Sequence, residues 1–281
     1  MRLSIDVELD YHFPEAADVL LALEVAPLPD QRLVEDLLTV SGAGPLRPIV
    51  GEDGIGQRTW LRAQGAARVA YRATVDIDRP VISLDSRAIV PLKELPAEVV
   101  PYIWPSRYCE SDRFEGFVER RFGGIAGGAK VTAMAEWIRG ELDYVPGSSD
   151  ARTTASDAFV ARRGVCRDYA HLLASFARAA GIPARLVGAY AWRLDPPDFH
   201  ALVEVWLDDG WHLVDATGLA PIEGIVRIGV GRDATDIAFM TIFGTAEMNA
   251  QKVAVTRVEQ DGRPGADVSV KRGSSIGPVV G

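Results

Sequence analysis

The chain has 281 residues, 48% of them hydrophobic, and carries 30 Lys plus Arg against 39 Asp plus Glu, a net charge of −9. Such a composition supplies enough apolar surface for one large domain or two of ordinary size, so we expect a folded and not a disordered chain. The acidic balance, without any basic run, argues against nucleic acid as a partner.

Cysteine and histidine are scarce in this sequence. With only Cys109 and Cys166, the chain can build neither a disulfide framework nor a cysteine-rich zinc site. Its four histidines do not form a His-Glu-x-x-His pattern, so we expect no metal and no cofactor. Residues 1–8 lack the apolar stretch of a signal peptide, and no apolar run is long enough to span a bilayer. We therefore expect no membrane partner and a cytoplasmic location.

The first third of the chain reads as strands. Residues 3–12 alternate between apolar and polar side chains, and further strand patterns lie between Gly, Pro and Asp residues at 19–25, 32–40, 57–63 and 68–77. The sequence predicts an antiparallel β-domain over residues 1–95. No nucleophile, base and acid gather there, so we expect a role in packing or substrate positioning.

A change of pattern follows. Prolines at 91, 96, 101 and 105 are typical of a linker draped over the surface, which we place at residues 96–113. A core then extends over residues 114–261, beginning with helical periodicity at 114–122 and 131–142. After the cysteine segment come strand patterns, and residues 262–281 read as a loose tail. The strand patterns lie at 185–192, 200–207, 211–215, 226–230, 237–243 and 252–259.

Cys166 lies in the first turn of a predicted helix that runs from residue 164 to a stop at Gly181 and Pro183. A helix N-terminus carries partial positive charge and unpaired N–H groups, which lower a thiol pKa and can hold an oxyanion. Gly164 would let a substrate backbone approach this turn closely. A buried structural cysteine is the alternative interpretation.

A base for Cys166 is offered by the strand at 199–207. Its odd positions are apolar and should face the core, which leaves His200 and Glu204 on the other face. His200 is therefore the candidate base. His171, on the polar side of the cysteine helix, and His212 are interpreted as structural or solvent-facing.

An imidazole base needs a partner that fixes its tautomer and orientation. Asp215 is the candidate, but a hairpin turn centred on residues 209–210 puts it opposite Glu204. Asp215 then reaches His200 only diagonally, with the help of twist or a bulge. Glu204 therefore remains a second choice.

Four segments together carry a resemblance: GVCRDYAHL at 164–172, GIPAR at 181–185, His200 with its strand, and DAT at 215–217. Their order resembles the bacterial transglutaminase-like superfamily, which includes candidate cysteine proteases. The segment GRDATD at 231–236 is similar to one near the end of the catalytic domain in those proteins, and residues 1–95 resemble the β-rich region that often precedes it.

The resemblance implies an α+β fold, in which an N-terminal antiparallel β-domain precedes a papain-like core with the cysteine helix packed on an antiparallel sheet. It also implies Cys166 as nucleophile, His200 as base and Asp215 as orienter. Two positions depart from the family pattern, which commonly has Trp at Leu202 and Pro at Ala216. These departures affect the shape of the cleft.

The expected function is hydrolysis of a peptide or protein amide through a thioester on Cys166. A protein-glutamine acyl transferase and a non-catalytic binding or scaffold module are the alternatives. Retention of all three residue types argues against the scaffold. Tyr144 occupies an aromatic position before the cysteine helix in relatives, where the resemblance leaves cleft-lining and packing roles equally open.

Overall fold

The structure is a computed structural model that describes residues 1–208, 210–258 and 279–280. Most of the tail at 262–281 thus lies outside the described residues. The helices are α1 (Glu115–Phe122), α2 (Gly127–Glu141), α3 (Ala155–Ala161), α4 (Cys166–Ala179) and α5 (Ala234–Ile237). None of the described helices has the length and apolar character needed to cross a membrane.

Antiparallel pairing dominates the strands within the described ranges. The strands are β1 (Arg2–Leu21), β2 (Gln31–Ala43), β3 (Arg47–Val50), β4 (Gln57–Ile77), β5 (Asp143–Tyr144), β6 (Arg163–Gly164), β7 (Ala184–Ala191), β8 (Phe199–Leu207), β9 (Gly210–Val214), β10 (Ile225–Gly231), β11 (Met240–Phe243), β12 (Glu247–Arg257) and β13 (Val279–Val280).

The larger sheet is built around the long pair β1 and β4, whose register runs from Arg2 opposite Asp76 to Leu21 opposite Thr59. Alternate residues of both strands are apolar and buried, as the two-residue period of a strand requires. The antiparallel β-rich N-terminal region is therefore confirmed. Its strands are longer than the sequence predicts, because β1 continues past Pro14 through a register shift between residues 13 and 17.

Strands from the far end of the chain complete this sheet. β11 and β12 both pair with β1, on the edge that β4 leaves free. Val253 of β12 is buried in the same apolar cluster as the inward side chains of β1. Residues 240–257, which the sequence analysis groups with the core, thus lie in the sheet of the N-terminal strands.

The core consists of a four-stranded sheet, in the order β10-β7-β8-β9, and the helix α4. Ala201, Val203 and Val205 of β8 share a buried cluster with α4, whose residues 166–178 are all buried. The apolar odd positions of β8 therefore face the core as predicted. This arrangement confirms a cysteine helix packed on an antiparallel sheet.

The segment between the two sheets is packed more tightly than a surface linker. Val99 and Tyr102 are buried, and the Tyr102 hydroxyl donates a 2.7 Å hydrogen bond to Asp53. Tyr108 and Cys109 are also buried, close to α4. The prolines of this segment therefore shape turns that carry anchoring side chains inward.

Candidate active site

Cys166 is the first residue of α4 and is only 2% exposed. Asp168 closes the first turn, since its carboxylate accepts a 2.8 Å hydrogen bond from the backbone N–H of Val165. A Cβ at Gly164 would lie 2.6 Å from the Cβ of Asp168. Packing within the turn therefore explains this glycine, which the sequence analysis assigns to substrate approach.

His200 and Asp215 lie together in the structure. The Nε2 of His200 is 3.0 Å from the Oδ2 of Asp215, and both side chains are buried. The other oxygen of Asp215 accepts hydrogen bonds from Thr217, at 2.9 Å from its N–H and 2.7 Å from its hydroxyl. Asp215 is thus fixed on one side and holds the imidazole ring on the other.

The hairpin register explains how Asp215 reaches the ring. The Asp-Gly pattern predicts that Gly210 lies in the turn, but Gly210 is the first residue of β9 and pairs with Leu207. Continuing this register puts Asp215 opposite Leu202, two residues along the strand from His200. Diagonal neighbours at this offset are within reach of long side chains. Asp215 was expected to need twist or a bulge to reach His200 only because the turn was predicted at the wrong position.

Glu204 does not contact His200. Its two carboxylate oxygens accept hydrogen bonds of 2.7 Å from Arg185 and 2.7 Å from Arg227, and the side chain is fully buried. The structure therefore contradicts the second choice of orienter. Two buried guanidinium groups already occupy this carboxylate, which is the pairing that a buried charge requires.

The His200 ring also adjoins Cys166. Burial lowers the pKa of His200, but the hydrogen bond to Asp215, with hydrogen bonding and charge from Cys166, outweighs burial and raises the pKa to about 10. Its Nδ1 has no aligned hydrogen-bond partner. Hydrogen bonds of this kind are often poorly aligned before substrate binds. Nδ1 is therefore the nitrogen available to exchange a proton with the thiol.

Tyr144 lies beside the same sulfur atom. It belongs to β5, which pairs with β6 so that Tyr144 is opposite Gly164. Burial is the main cause that raises the pKa of Tyr144, the charge of Cys166 acts in the same direction, and the backbone N–H of Cys166 acts against them. The ring packs against Tyr169, with centroids 5.9 Å apart. Tyr144 therefore both packs and faces the site.

His171 and His212 are structural. His171 is completely buried, accepts a 3.1 Å hydrogen bond from the backbone N–H of Ala234, and stacks on Tyr108. Burial lowers its pKa to about 3. His212 lies 3.0 Å from the carbonyl oxygen of Leu207. The polar side of α4 is thus covered by protein, and the solvent-facing alternative for His171 is wrong.

Cys109 and the segment 231–236 form a structural contact on the covered side of α4. The Cys109 thiol is fully buried, and burial raises its pKa to about 11. Asp233 accepts hydrogen bonds of 2.9 Å from the N–H of Thr235 and 3.1 Å from the N–H of Tyr108. The segment that resembles family members therefore anchors the chain before α1.

Two further observations concern the residues that depart from the family pattern and the possible ligands of a metal ion. Leu202 and Ala216, the positions that depart from the family pattern, are both buried. Among the described residues, no group of three or more His, Cys, Asp or Glu side chains could hold a metal ion.

Sequence reasoning missed Asp198, a carboxylate two residues before His200. One of its oxygens accepts hydrogen bonds of 2.7 Å from the N–H of Phe199 and 2.6 Å from the side chain of Gln251. The charge of Asp198 acts on Tyr144, and that of His200 acts on Asp198. Proximity to His200 in the chain was an available signal, whereas nothing local points to Gln251 on β12.

Residues 122–216 match the sequence model of the family described as "Transglutaminase-like superfamily". A solved structure described as a "Putative Cysteine Protease from Cytophaga hutchinsonii" is 33% identical to this chain, with a TM-score of 0.88. That match covers 94% of this chain and 93% of the other. The likeness extends over both sheets.

Curated relatives match over a shorter stretch. An uncharacterized protein of Mycobacterium leprae (strain TN) is 34% identical over 116 residues, which is 38% of this chain and 42% of the relative. An uncharacterized protein of Mycobacterium bovis is 27% identical over 146 residues, which is 46% of each chain. The match thus spans less than half the length of these relatives.

Proposed function

Because the chain belongs to the transglutaminase-like superfamily, we propose that it is a cysteine-dependent hydrolase of peptide or protein amides. In this proposal Cys166 is the nucleophile, His200 the base and Asp215 the group that orients the base. One observation carries it: the buried His200 ring is held by Asp215 at Nε2 and adjoins the Cys166 thiol, with Nδ1 unpartnered.

The proposed reaction has two halves. Nδ1 of His200 takes the thiol proton, and the sulfur of Cys166 forms a bond to the amide carbon while the carbonyl electrons move to oxygen. The C–N bond then breaks, and His200 gives its proton to the leaving amine. In the second half water attacks the thioester, its proton passes to His200, and the C–S bond breaks as the sulfur regains a proton. The products are a carboxylic acid and an amine.

Two donors near the sulfur support stabilisation of the oxyanion. The backbone N–H of Cys166 belongs to the first turn of α4, where N–H groups lack partners within the helix. The Tyr144 hydroxyl adjoins the same sulfur and N–H. A negative charge that develops on the carbonyl oxygen would accept hydrogen bonds from both donors.

We favour hydrolysis over acyl transfer, because transfer requires a neutral amine to outcompete water at the thioester. Besides Asp215, which is bound to the ring, the carboxylate of Asp198 lies near His200. A carboxylate stabilises the protonated form of an amine, and an ammonium ion has no lone pair with which to attack. The site is thus better suited to water as the acceptor.

Mass spectrometry of the protein after incubation with a peptide library tests this function. We expect an acyl group on the peptide that contains Cys166, together with released free acid even at millimolar methylamine. Cys109→Ser is the matched control and should retain the adduct, whereas Cys166→Ser should lose the thioester. Predominant methylamide would make the protein a transferase. Absence of both adduct and cleaved product, with every peptide, would support the scaffold instead.

A further inference from the structure

Asp198 is a carboxylate fixed at the edge of the proposed catalytic cleft. It immediately precedes β8 and is partly exposed. One oxygen, Oδ1, accepts hydrogen bonds from the backbone N–H of Phe199 and from Nε2 of Gln251. Because Gln251 lies on β12, the larger sheet helps to hold this carboxylate next to the core. Asp198 is thus positioned by two separate elements.

The second oxygen, Oδ2, has no hydrogen-bond donor in the part of the chain that the structure describes. His200 is the cation whose charge acts on Asp198. Gln251 adds a buried Oε1 that also lacks a donor. The site therefore has more hydrogen-bond acceptors than donors, next to the proposed base His200.

We propose that Asp198 is a specificity-determining residue that binds an ammonium or guanidinium group of the acyl donor, next to His200. This inference rests on the proposed hydrolase function and gives its substrate class, a peptide with a basic group close to the cleaved amide. A partly exposed carboxylate with a free oxygen is the group that such cations pair with in proteins.

The cation belongs to the acyl donor and not to an attacking amine. An amine acceptor must be neutral to attack a thioester, and a carboxylate would hold it protonated. A basic side chain takes no part in bond formation, so the same pairing fixes the substrate without blocking the reaction. Burial, which raises the pKa of Asp198 to about 6, also indicates a carboxylate that gains from a cationic partner.

Three thiol reagents of matched size test the inference on the intact protein without a known substrate. The probes are the 2-aminoethyl, ethyl and 2-sulfonatoethyl methanethiosulfonates, which carry positive, zero and negative charge. The rate at which each modifies Cys166 is followed by mass spectrometry at pH 7.5. We expect the cationic reagent to react about two- to fivefold faster than the neutral one, the range expected of one partly exposed ion pair.

Asp198→Asn keeps the shape and the hydrogen bonds to Phe199 and Gln251 but removes the charge. We expect this variant to lose the preference for the cationic reagent, measured as the ratio of its rate to that of the neutral reagent. Asp143→Asn is the control, because Asp143 is an exposed carboxylate next to Tyr144. Removing Asp143 should leave most of the preference.

The outcomes separate the two hypotheses. If the neutral reagent modifies Cys166 rapidly but Asp198→Asn does not change the charge preference, the assignment of Asp198 is wrong and the hydrolase proposal survives. Equal loss of the charge preference in Asp143→Asn would also overturn the assignment, since it would indicate that the overall negative charge around the cleft attracts the cationic reagent. If no reagent modifies Cys166, both the hydrolase proposal and the inference that rests on it fail.

Discussion

His200 is held between two groups that can each take or give a proton. Asp215 and Cys166 raise its pKa to about 10 despite the opposing effect of burial. The raised pKa makes the ring a stronger base, which takes the thiol proton and holds it next to the sulfur, where the leaving amine needs it. Asp215 itself stays ionised, since hydrogen bonds from His200 and Thr217 outweigh the effect of burial and lower its pKa.

Charge removal at Asp215 should separate a positioning role from a structural one. Asp215→Asn keeps the hydrogen bonds to Thr217, and we expect it to lower the pKa of His200 and to reduce kcat/KM. His200→Ala should reduce kcat/KM more, by about 10²- to 10⁴-fold, because it removes the base itself. The pKa is measured by an NMR titration of the imidazole, and the rates are measured with a peptide substrate found in the library experiment.

Glu204→Gln is the control for this comparison. Truncation of Glu204 to Ala would remove the carboxylate that two buried arginines share, so a loss of folding could be mistaken for a loss of catalysis. The Gln variant should lower stability while the pKa of His200 stays unchanged. A shift of that pKa as large as the one in Asp215→Asn would contradict the role assigned to Asp215.

Among the elements, α4 shows which structural properties can be predicted from sequence periodicity and which cannot. Helical spacing and the family segments identify the helix, its apolar side and the position of Cys166 in the first turn. They do not reveal that its polar side is also covered, because the covering residues at 102–109 and 231–236 lie far away in the chain. The Asp198–Gln251 contact is hidden for the same reason. The hairpin is a local case, in which an Asp-Gly pair gave a turn one residue too late.

The burial of His171 in α4 predicts sensitivity to acid. Its pKa is about 3 in the folded protein, from burial, despite the nearby charge of Asp233, against about 6.5 when unfolded. The unfolded state therefore binds more protons between these values, so stability is full above pH 6.5 and falls as the pH drops towards 3. The contribution is at most about 1.4 kcal/mol per pH unit.

His171→Gln tests this linkage, because an amide oxygen can accept the Ala234 N–H bond but cannot become charged. Urea unfolding at pH 7.5 and pH 4.5 gives the free energy of unfolding of both proteins. We expect the wild type to lose more stability than the variant on acidification. Equal losses would contradict this linkage and would mean that the charge of Asp233 offsets the effects of burial, Arg167 and Arg178 on His171.

At the scale of the whole molecule, a buried ionic network joins the two sheets. Arg227 of β10 contacts Glu204 of the core sheet at 2.7 Å and also pairs with Asp30, next to β2. Arg79 pairs with Asp30 at 2.6 Å. Apolar contacts of Tyr190 and Phe199 with the inward face of the larger sheet accompany this network. The two sheets therefore form one packed body.

Arg227→Ala should destabilise the protein by about 2–3 kcal/mol, because it leaves one buried oxygen of Glu204 without its donor while Arg185 still pairs with the other. Arg62→Ala is the matched control: Arg62 pairs with Asp18 at 2.8 Å, but both side chains are more than half exposed. That control should cost less than about 1 kcal/mol. Denaturant unfolding monitored by tryptophan fluorescence compares the two. Similar losses would show that the network contributes no more than a surface pair.

The pairing of β1 with β12 also has a consequence for biosynthesis. β4 follows β1 early in the chain and can cover one of its edges soon after synthesis, but β11 and β12 cover the other edge only after more than 150 further residues have been made. Until then a long apolar strand presents unpaired backbone groups, a hazard for association between nascent chains. The larger sheet can be completed only after the core sequence has been translated, so we expect the two sheets to finish folding at the same stage.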